Sequence, residues 1–341
     1  MSRKQKTRGS NRVTMAEVAE EAGVSAITVS RVLRQPAIVS PELAARVARA
    51  CEKLGYVRSR VASALASDRS RTILVLIPSL ANLVFVDTLV GIKEVLDAQD
   101  YQMLIAVTGY DDPAEEEKLL RQNLGYAPDG ILLTGTDQSE AVWSLLASQR
   151  IQAVHMMDVP QREGCNWVGF SNYEAGRAAA GYLLARNRRR IGIISAQLDP
   201  RTLRRLEGCR AELIAHGLYD PALEIRVPDR STVGLGTELI DRLLNNAPDC
   251  DGVFLTNDDL AQGAVFQCMQ RGIAVPDRLA IMGFHDIQGS EWAATPLTTV
   301  RTPRARIGQE AARMLIDRIE GRPDRPTSLD LGFSIIRRAS A

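Results

Sequence analysis

Arg201 and Arg205 are the two residues whose type and spacing most clearly indicate binding chemistry. They are four positions apart, so on a helix their guanidinium groups lie on one face. Neighbouring guanidinium groups favour a carboxylate, which they bind through paired hydrogen bonds. The other candidate ligand contacts, each of which follows an apolar run, are Ser79, Phe85, Asp158, Asn257, Asp258 and His285. This set suits a small hydroxylated ligand with an acid group, because every buried hydroxyl needs a donor and an acceptor.

The same stretches carry no pattern typical of catalysis or of a bound cofactor. Asp158, Asp258 and Asp286 can each cap a following helix. His285, at a predicted strand end, can act as an orienting hydrogen-bond partner. The chain has no Ser/His/Asp order, and residues 78–80 read Pro-Ser-Leu where a dinucleotide-binding glycine motif would have to fall. The five cysteines are scattered without metal-ligand spacing, so we expect no catalytic residue, no metal and no cofactor.

A body in which short apolar runs alternate with amphipathic helices must position these side chains. The runs that predict strands cover residues 73–77, 103–107, 131–134, 154–157, 191–195, 253–256 and 279–282. Helices fit between them, for example over 85–98 and 173–185. Nearly continuous apolar runs are typical of strands buried on both faces of a parallel sheet. We therefore predict a doubly wound α/β body in two lobes, with its ligand at the carboxyl ends of the strands.

Residues 13–34 have the pattern of two short helices joined by a turn at Gly23. Thr14 and Glu17 form the S/T-x-x-E pattern of a capping box, and Ser25 can cap the second helix. Apolar residues at helical spacing give the two helices one shared apolar face. The pattern predicts a helix-turn-helix that reads DNA, although a glycine-broken pair of helices in any bundle has the same appearance. The DNA contacts that we predict in this segment are Thr14, Ser25, Ala26, Ile27, Thr28, Ser30 and Arg31.

A third helix is predicted directly after this pair. It runs from Pro41 to Leu54, with Ser40 as its N-cap and Gly55 as its end. The residues that we expect to bury one face of it are Ala44, Val47, Ala48 and Cys51. Three such helices are sufficient for a small helical core.

Charge is unevenly distributed along the chain. Residues 1–69 carry thirteen Lys and Arg against six Asp and Glu, whereas the remainder carries twenty-nine against thirty-five. A basic head on an acidic body is typical of polyanion binding, because each cation that neutralises a phosphate releases counterions. Residues 1–12 form a basic polar arm that we predict to be disordered, and it either contacts DNA or serves as a solubilising tail.

Length and hydropathy indicate the size class of the protein and the compartment in which it is expected. A chain of 341 residues is long enough for a small head and a body of two lobes. Its N-terminus is polar and basic, and no run approaches eighteen consecutive apolar residues. We therefore expect a cytoplasmic protein with reduced thiols and no membrane partner.

From Val13 onward the chain resembles the lactose-repressor (LacI) family of transcription regulators. The segments that carry this resemblance are VAEEAGVSAITVSRVL, LGYVRSRVASALAS, DGILLTGT, MMDV, RRLEG, TNDDLAQGA, MGFHD and PLTTV. The resemblance implies an α-helical helix-turn-helix head and a two-lobed body with parallel, doubly wound sheets, like that of periplasmic sugar-binding proteins. Within the family, VRTPRARIG and LDLGF are most similar to segments of gluconate-operon repressors.

The resemblance also implies a domain plan. A DNA-binding domain covers 13–58, a connecting segment covers 59–70, and an effector-binding and dimerisation domain covers 71–341. The N-subdomain then comprises 71–169 and 302–330, and the C-subdomain 170–301 and 331–341. Within 60–67, which matches the family's hinge helix, Leu65 matches the leucine that enters the minor groove. The other DNA contacts implied for this hinge are Arg60, Val61 and Ala62.

Individual positions refine the expectation. Arg205, in RRLEG, matches the family's ligand-clamping arginine. His285 stands where many relatives have Asp, which favours an acid sugar over a neutral one. Ala26 and Ile27 occupy positions that are often polar in the family, so contact between Ile27 and thymine methyl groups is expected. The tetramerising heptad segment of some members is missing at the C-terminus, which favours a dimer.

We therefore predict a homodimeric repressor, not an enzyme, that binds double-stranded palindromic operator DNA. A small sugar acid, gluconate or 2-ketogluconate, is the expected effector that releases it. The alternative is a cytosolic sugar-binding protein or sugar-acid enzyme with an incidental helical head. The charge asymmetry and the hinge segment favour the repressor, and a sequence-specific DNA complex would discriminate between the two.

Overall fold

The computed structural model describes residues 13–34, 38–57, 69–110, 112–160, 162–322 and 326–341. The chain forms two compact units, Met1–Ser70 and Arg71–Ala341, which we call the head and the body. The predicted arm over 1–12 lies outside the described residues. So do the predicted hinge contacts, which are Arg60, Val61, Ala62 and Leu65.

The head contains the helices α1 (Met15–Ala22), α2 (Ala26–Arg34) and α3 (Pro41–Leu54). The predicted capping box is confirmed, since the backbone N–H of Glu17 donates to Thr14 Oγ1 at 3.3 Å and that of Thr14 donates to Glu17 Oε2 at 2.7 Å. Gly23 ends α1 with φ 61°, a left-handed conformation in which glycine carries no steric penalty. Ser25 caps α2 by accepting a hydrogen bond from the backbone of Thr28 at 3.1 Å.

The three helices bury one small core. Its fully covered members are Val18, Ala19, Ala22, Val29, Val32, Val47 and Ala50. The prediction for α3 was wrong at Ala48, which is exposed, and Ala50 is buried instead. The inward positions of α3 follow i, i+3, i+4 spacing through 43, 44, 47, 50, 51 and 54, so position 48 lies about 100° away from Val47 on the helix.

The first lobe of the body, which we call the N-lobe, is built on a six-stranded, fully parallel sheet. Its strands are β1 (Thr72–Ile77), β2 (Gln102–Val107), β3 (Gly130–Thr134), β4 (Gln152–Met156), β5 (Trp167–Gly169) and β11 (Ser328–Asp330), in the order β11-β5-β4-β3-β1-β2. The helices that alternate with them are α4 (Val84–Ala98), α5 (Pro113–Leu124) and α6 (Glu140–Gln149).

The second lobe, the C-lobe, has the strand order β12-β10-β9-β8-β6-β7, and β12 alone runs antiparallel to its neighbour. These strands are β6 (Ile191–Ala196), β7 (Glu224–Val227), β8 (Gly252–Leu255), β9 (Ala280–His285), β10 (Thr298–Arg301) and β12 (Ser334–Ile336). The helices are α7 (Asn172–Ala185), α8 (Pro200–Ala215), α9 (Val233–Asn246), α10 (Asp258–Gln270) and α11 (Arg304–Ile319). Although α11 follows β10 in the chain, it packs on α4 and on the N-lobe sheet.

The predicted two-lobed α/β architecture is therefore confirmed, with differences in detail. Each of the seven predicted strands is present, and the last runs to His285 rather than to residue 282. The described part of the chain contains five further strands, β5, β7, β10, β11 and β12, each only three or four residues long. Such short segments offer too little apolar periodicity to be predicted from sequence.

Helices α7 and α8 touch through glycine, and this contact fixes the position of Arg205. A Cβ on Gly176 would lie 2.0 Å from the carbonyl oxygen of Arg205, and one on Gly208 would lie 1.9 Å from that of Tyr173. Larger side chains at either position would push the two backbones apart. Glycine therefore sets how closely the helix that carries Arg205 packs on the rest of the lobe.

We expect Gly176→Ala to destabilise the body by about 1–3 kcal/mol, the usual range for overpacking. Thermal unfolding followed by circular dichroism measures this effect. Gly181→Ala, on the same helix, is the matched control, because its Cβ would meet only Glu212 Oε1 at an ordinary 3.8 Å. Equal melting temperatures for the two variants would show that the α7–α8 contact does not limit stability.

Candidate functional site

The body has a cleft where the carboxyl ends of the strands of both lobes meet. Its inner part, which we call the positive cavity, is lined by Asn82, Val84, Phe85, Tyr110, Met157, Phe170, Gln197, Asp199, Arg201, Arg205, Asn257, His285 and Thr302. Five of the eight predicted effector contacts are in this set, namely Phe85, Arg201, Arg205, Asn257 and His285. Parallel strands bring them together because residues that follow each strand lie at the same edge of the sheet.

Arg205 is almost completely buried and is held by three protein acceptors. Its Nε donates to Asn172 Oδ1 at 2.9 Å, and its Nη1 donates to the carbonyl of Thr256 and to Asn257 Oδ1, both at 3.0 Å. The guanidinium lies 4.2 Å from the ring centre of Phe284, within cation–π range. Burial lowers the pKa of Arg205 to about 10, so the group remains a cation at neutral pH.

Arg201 lies one turn earlier on α8 and is paired within the protein. Its Nε donates to Asp199 Oδ1 at 3.0 Å, and Asp199 also caps α8 by accepting from the backbone of Arg201 and Thr202. Burial opposes the charge of Asp199, but Arg201 and Arg205 outweigh it and hold the pKa of this carboxyl below its ordinary value. Arg201 Nη1 is buried without a hydrogen-bond partner, and among the described residues none accepts a hydrogen bond from the Nη2 atom of either arginine.

The positive cavity carries a net positive charge. Of the described residues that line it, Asp199 is anionic and Arg201 and Arg205 are cationic. His285 is neutral, because burial and the nearby Arg205, Arg304 and Arg201 hold its pKa well below the ordinary value. The lining therefore has one more cation than anions, which suits a ligand with a single negative charge, and Asp137 and Asp158 act on the two arginines from outside this lining.

His285 reaches the cavity from an unusual backbone conformation. Its φ is 107° and that of Asp286 is 54°, a region that non-glycine residues seldom adopt. The imidazole Nδ1 lies 3.3 Å from Thr302 Oγ1. His285 therefore has the orienting hydrogen bond expected at a strand end, and its ring lines the cavity.

Two predicted carboxylate contacts have other roles. Both oxygens of Asp258 accept hydrogen bonds from the protein, from Thr299 Oγ1 at 2.6 Å, the backbone of Ile287 at 2.9 Å and Ser290 Oγ at 3.0 Å. Asp158 accepts from Asn172 Nδ2 at 3.1 Å and does not line the cavity. Both carboxylates thus hold the segments that carry them, and their contact with ligand hydroxyls stays a prediction.

The outer part of the cleft is wider, with a volume of about 360 Å³. Ser79, Asp258 and Arg230 line it, and Asn257 and His285 are shared with the positive cavity. A volume in this range accommodates a small organic ligand. Ser79 therefore lies at the entrance rather than in the deep part of the site.

Eight of the thirteen lining residues are outside the predicted set, and three polar examples follow strands. Tyr110 follows β2 and accepts a hydrogen bond from Asn82 Nδ2 at 3.0 Å, Gln197 follows β6, and Thr302 follows β10. Tyr110 and Gln197 follow strands that the sequence predicts, so the same strand-end rule would have found them. Thr302 follows a four-residue strand that the apolar pattern does not indicate.

A second cavity, the acidic cavity, lies on the other side of Arg201. Its charged lining residues are Asp112, Glu116, Asp137, Asp199 and Arg201. Burial and then the charge of Asp137 raise the pKa of Glu116 to about 7. Glu116 is therefore partly protonated at neutral pH.

We expect Glu116→Gln to stabilise the body at pH 8 but not at pH 4. A carboxyl with a raised pKa binds its proton more tightly in the folded state, so the parent loses stability as pH rises from about 4.5 to about 7. The gain at pH 8 should be about 2 kcal/mol, because one pKa unit corresponds to ~1.4 kcal/mol and solvent screens part of the effect. Urea unfolding across this range measures it, and a difference independent of pH would contradict the assignment.

The second helix of the head presents the predicted DNA-reading surface. Ile27 is 73% exposed, and Ala26 and Arg31 are exposed beside it. Ser25 and Thr28 are engaged with each other, with 2.9 Å between their hydroxyl oxygens. Thr14 is exposed and its hydroxyl donates to Glu17, and Ser30 is half-buried. Their contacts with DNA stay predictions.

The described residues contain no group of three or more His, Cys, Asp or Glu side chains arranged to hold a metal ion. Within the same part of the chain, no helix is both long and apolar enough to cross a membrane.

Comparison with known proteins shows which families have this architecture. The model of bacterial regulatory proteins of the lacI family matches residues 14–59, and that of the periplasmic binding protein-like domain matches 180–341. The HTH-type transcriptional regulator GntR of Pseudomonas aeruginosa is 48% identical over 334 residues, covering 98% of this chain and 97% of its own.

Two solved structures are also similar. The transcription regulator GntR from Chromobacterium violaceum is 48% identical with a TM-score of 0.77, covering 79% of this chain and 98% of its own. A LacI family transcriptional regulator from Silicibacter pomeroyi is 33% identical with a TM-score of 0.89, covering 96% of this chain and 99% of its own.

A helix-turn-helix head combined with a two-lobed α/β body around a ligand-sized cleft defines the class of DNA-binding transcriptional regulators. The chain belongs to the LacI family and is a DNA-binding transcriptional repressor of that family. Because its relatives are named transcriptional regulators, the alternative of a sugar-acid enzyme is set aside.

Proposed function

We propose that this repressor binds a palindromic operator as a homodimer and is released by a sugar acid, with gluconate or 2-ketogluconate as the effector. The observation that carries the proposal is the buried cavity whose lining has one more cation than anions, together with guanidinium N–H groups of Arg201 and Arg205 that no described residue accepts. A carboxylate there gains charge-assisted hydrogen bonds, whereas a neutral aldehyde leaves the two donors poorly paired. The amide of Asn257 and the neutral imidazole of His285 are suited to hydroxyl groups.

The names of similar proteins support a sugar acid as the effector. Regulators named GntR, at 48% and 38% identity, are among the proteins that this chain resembles over nearly its full length. Their name agrees with the similarity to gluconate-operon repressors that the sequence segments indicate. We assign the effector contacts to Arg201, Arg205, Asn257, His285 and Phe85, with Ser79 at the entrance.

A second copy of the chain is the proposed partner of the body. Leu80, Leu83, Val86 and Val90 are 43–62% exposed at and next to the first turns of α4. A cluster of exposed apolar side chains on a stable domain favours burial against another protein surface. Both lobes would then contribute to a dimer whose heads bind two half-sites. The N-lobe comprises 71–169 and 302–330, and the C-lobe comprises 170–301 and 331–341.

Release follows from differential affinity. An effector that bridges the lobes favours one arrangement of the dimer, and operator DNA favours another, so each ligand weakens the binding of the other. The segment 59–70, with Leu65 at its centre, would transmit the difference to the heads.

The test is calorimetry and operator gel shift of the full chain with gluconate, 2-ketogluconate and glucose. We expect gluconate to bind at least tenfold more tightly than glucose, since each lost charge-assisted bond is worth roughly 1.5–3 kcal/mol. A ligand present at 100 times its dissociation constant should also add ~2.7 kcal/mol of stability. Equal affinity for glucose and gluconate would reject the sugar acid, and absence of a sequence-specific DNA complex would reject the operator.

A further inference from the structure

Arg304 occupies a position that helix energetics disfavours. It is the first residue of α11, where the positive end of the helix dipole repels a cation, and the N-cap Pro303 has no side-chain hydrogen bond. The side chain is nonetheless buried, with 8% exposure. Its partners, rather than its own helix, must therefore account for the stability of this buried cation.

Those partners belong to both lobes. On the N-lobe side, Nε and Nη2 donate to Asp87 Oδ2 of α4 at 3.1 and 2.7 Å. On the C-lobe side, Nη1 donates to the carbonyl of His285 and Nη2 donates to that of Asp286 at 3.2 Å. One guanidinium thus joins α4 to the end of β9.

The two carbonyls belong to the strained residues of the site. Consecutive left-handed φ values at His285 and Asp286 persist only where the surroundings over-determine them. The carboxylate of Asp286 is held by Arg301 at 2.6 Å and Arg338 at 2.7 Å, but the carbonyls at the end of β9 point to Arg304. Arg304 therefore stabilises the backbone that turns the His285 ring into the positive cavity.

The other end of the connection is rigid. A Cβ on Gly91 would lie 2.1 Å from the carbonyl oxygen of Ala305, and one on Gly308 would lie 2.1 Å from that of Thr88. Helices α4 and α11 are thus in backbone contact, and Asp87 lies on α4 next to the exposed Val86. A movement of the β9 end reaches α4 directly through Arg304.

We propose that Arg304 is a positioning residue that holds His285 in the effector cavity and couples that cavity to α4. The coupling part rests on the proposed function, whereas the positioning of His285 does not. Asp87 is the second member of the connection and acts only on coupling, because it does not touch the β9 end.

The first test uses no effector. The chain has three histidines, so the imidazole signals of His155, His216 and His285 can be assigned by NMR with single His→Gln variants. We expect Arg304→Met to shift the His285 signal and Arg306→Met, an exposed arginine two residues further along α11, to leave it unchanged. An unchanged His285 signal in folded Arg304→Met would overturn the positioning role.

The second test measures coupling as the ratio of operator affinities without and with saturating gluconate. Arg304→Met should lower gluconate affinity about tenfold and bring the ratio close to one, whereas Arg306→Met should match the parent. Asp87→Asn should reduce the ratio and leave gluconate affinity within twofold. If the ratio of operator affinities without and with saturating gluconate is the same in Arg304→Met as in the parent, the coupling role is overturned.

The two tests separate the possible failures. If gluconate does not bind the parent, the proposed effector is wrong and the NMR result still decides whether Arg304 positions His285. If Arg304→Met does not fold, Arg304→Lys retains the cation but cannot reach Asp87 and both carbonyls together, and the same two measurements apply to it.

Discussion

Arg205→Ala is expected to give a repressor that binds its operator normally but is no longer released by gluconate. The substitution removes one of the two buried cations of the positive cavity, together with the Nη2 donor that we assign to the ligand carboxylate. Loss of charge-assisted hydrogen bonds worth roughly 1.5–3 kcal/mol each should weaken gluconate binding at least 100-fold. Calorimetry with gluconate, paired with operator gel shifts at increasing gluconate, measures both properties.

The control is Arg204→Ala, which removes the neighbouring arginine, paired at 3.4 Å with Glu207. It should retain gluconate binding and release. Arg205→Ala also leaves the acceptors of Asn172, Thr256 and Asn257 without their donor, so its melting temperature must be compared with that of the parent. If the folded variant still releases DNA at the parental gluconate concentration, Arg205 does not bind the effector.

Arg31→Ala should weaken operator binding while gluconate affinity stays at the parental value. Arg31 is exposed on α2 beside Ile27, on the surface predicted to face the major groove. Loss of a bidentate guanine contact would cost roughly 1–3 kcal/mol, about 10- to 100-fold in affinity. Loss of a phosphate contact would instead reduce the salt dependence of binding by about one ion and affect all sequences alike.

Operator and mismatched DNA titrated at several salt concentrations separate these two outcomes. Arg46→Ala is a useful comparison in the same head, because its Nη2 donates to the carbonyl of Gly23 at 3.1 Å and it lies on α3. That variant should perturb the helix-turn-helix turn rather than base recognition. Parental affinity and salt dependence in Arg31→Ala would remove this residue from the DNA interface.

Local chemistry made the head predictable. The capping box at Thr14, the stop at Gly23 and the limits of α3 between Ser40 and Gly55 depend on residues within a few positions of each other. Each is therefore readable from the chain alone. The wrong prediction at Ala48 has a non-local cause. The two helices packed against α3 decide which of its sides is buried.

The sequence by itself also determined seven strands of the body and placed Arg201, Arg205 and His285 at one edge of the sheets. Parallel strands align their carboxyl ends whatever the details of packing. The tertiary structure alone decided which polar groups remain available to a ligand. Asp258 follows a strand and Arg304 begins a helix, as other candidates do. Hydrogen bonds from a distant segment occupy the carboxylate of Asp258, and partners in both lobes bind the guanidinium of Arg304. Hydrogen-bond partners that are tens to hundreds of residues away leave no periodic signal in the sequence, and this is why availability could be established only in the folded chain.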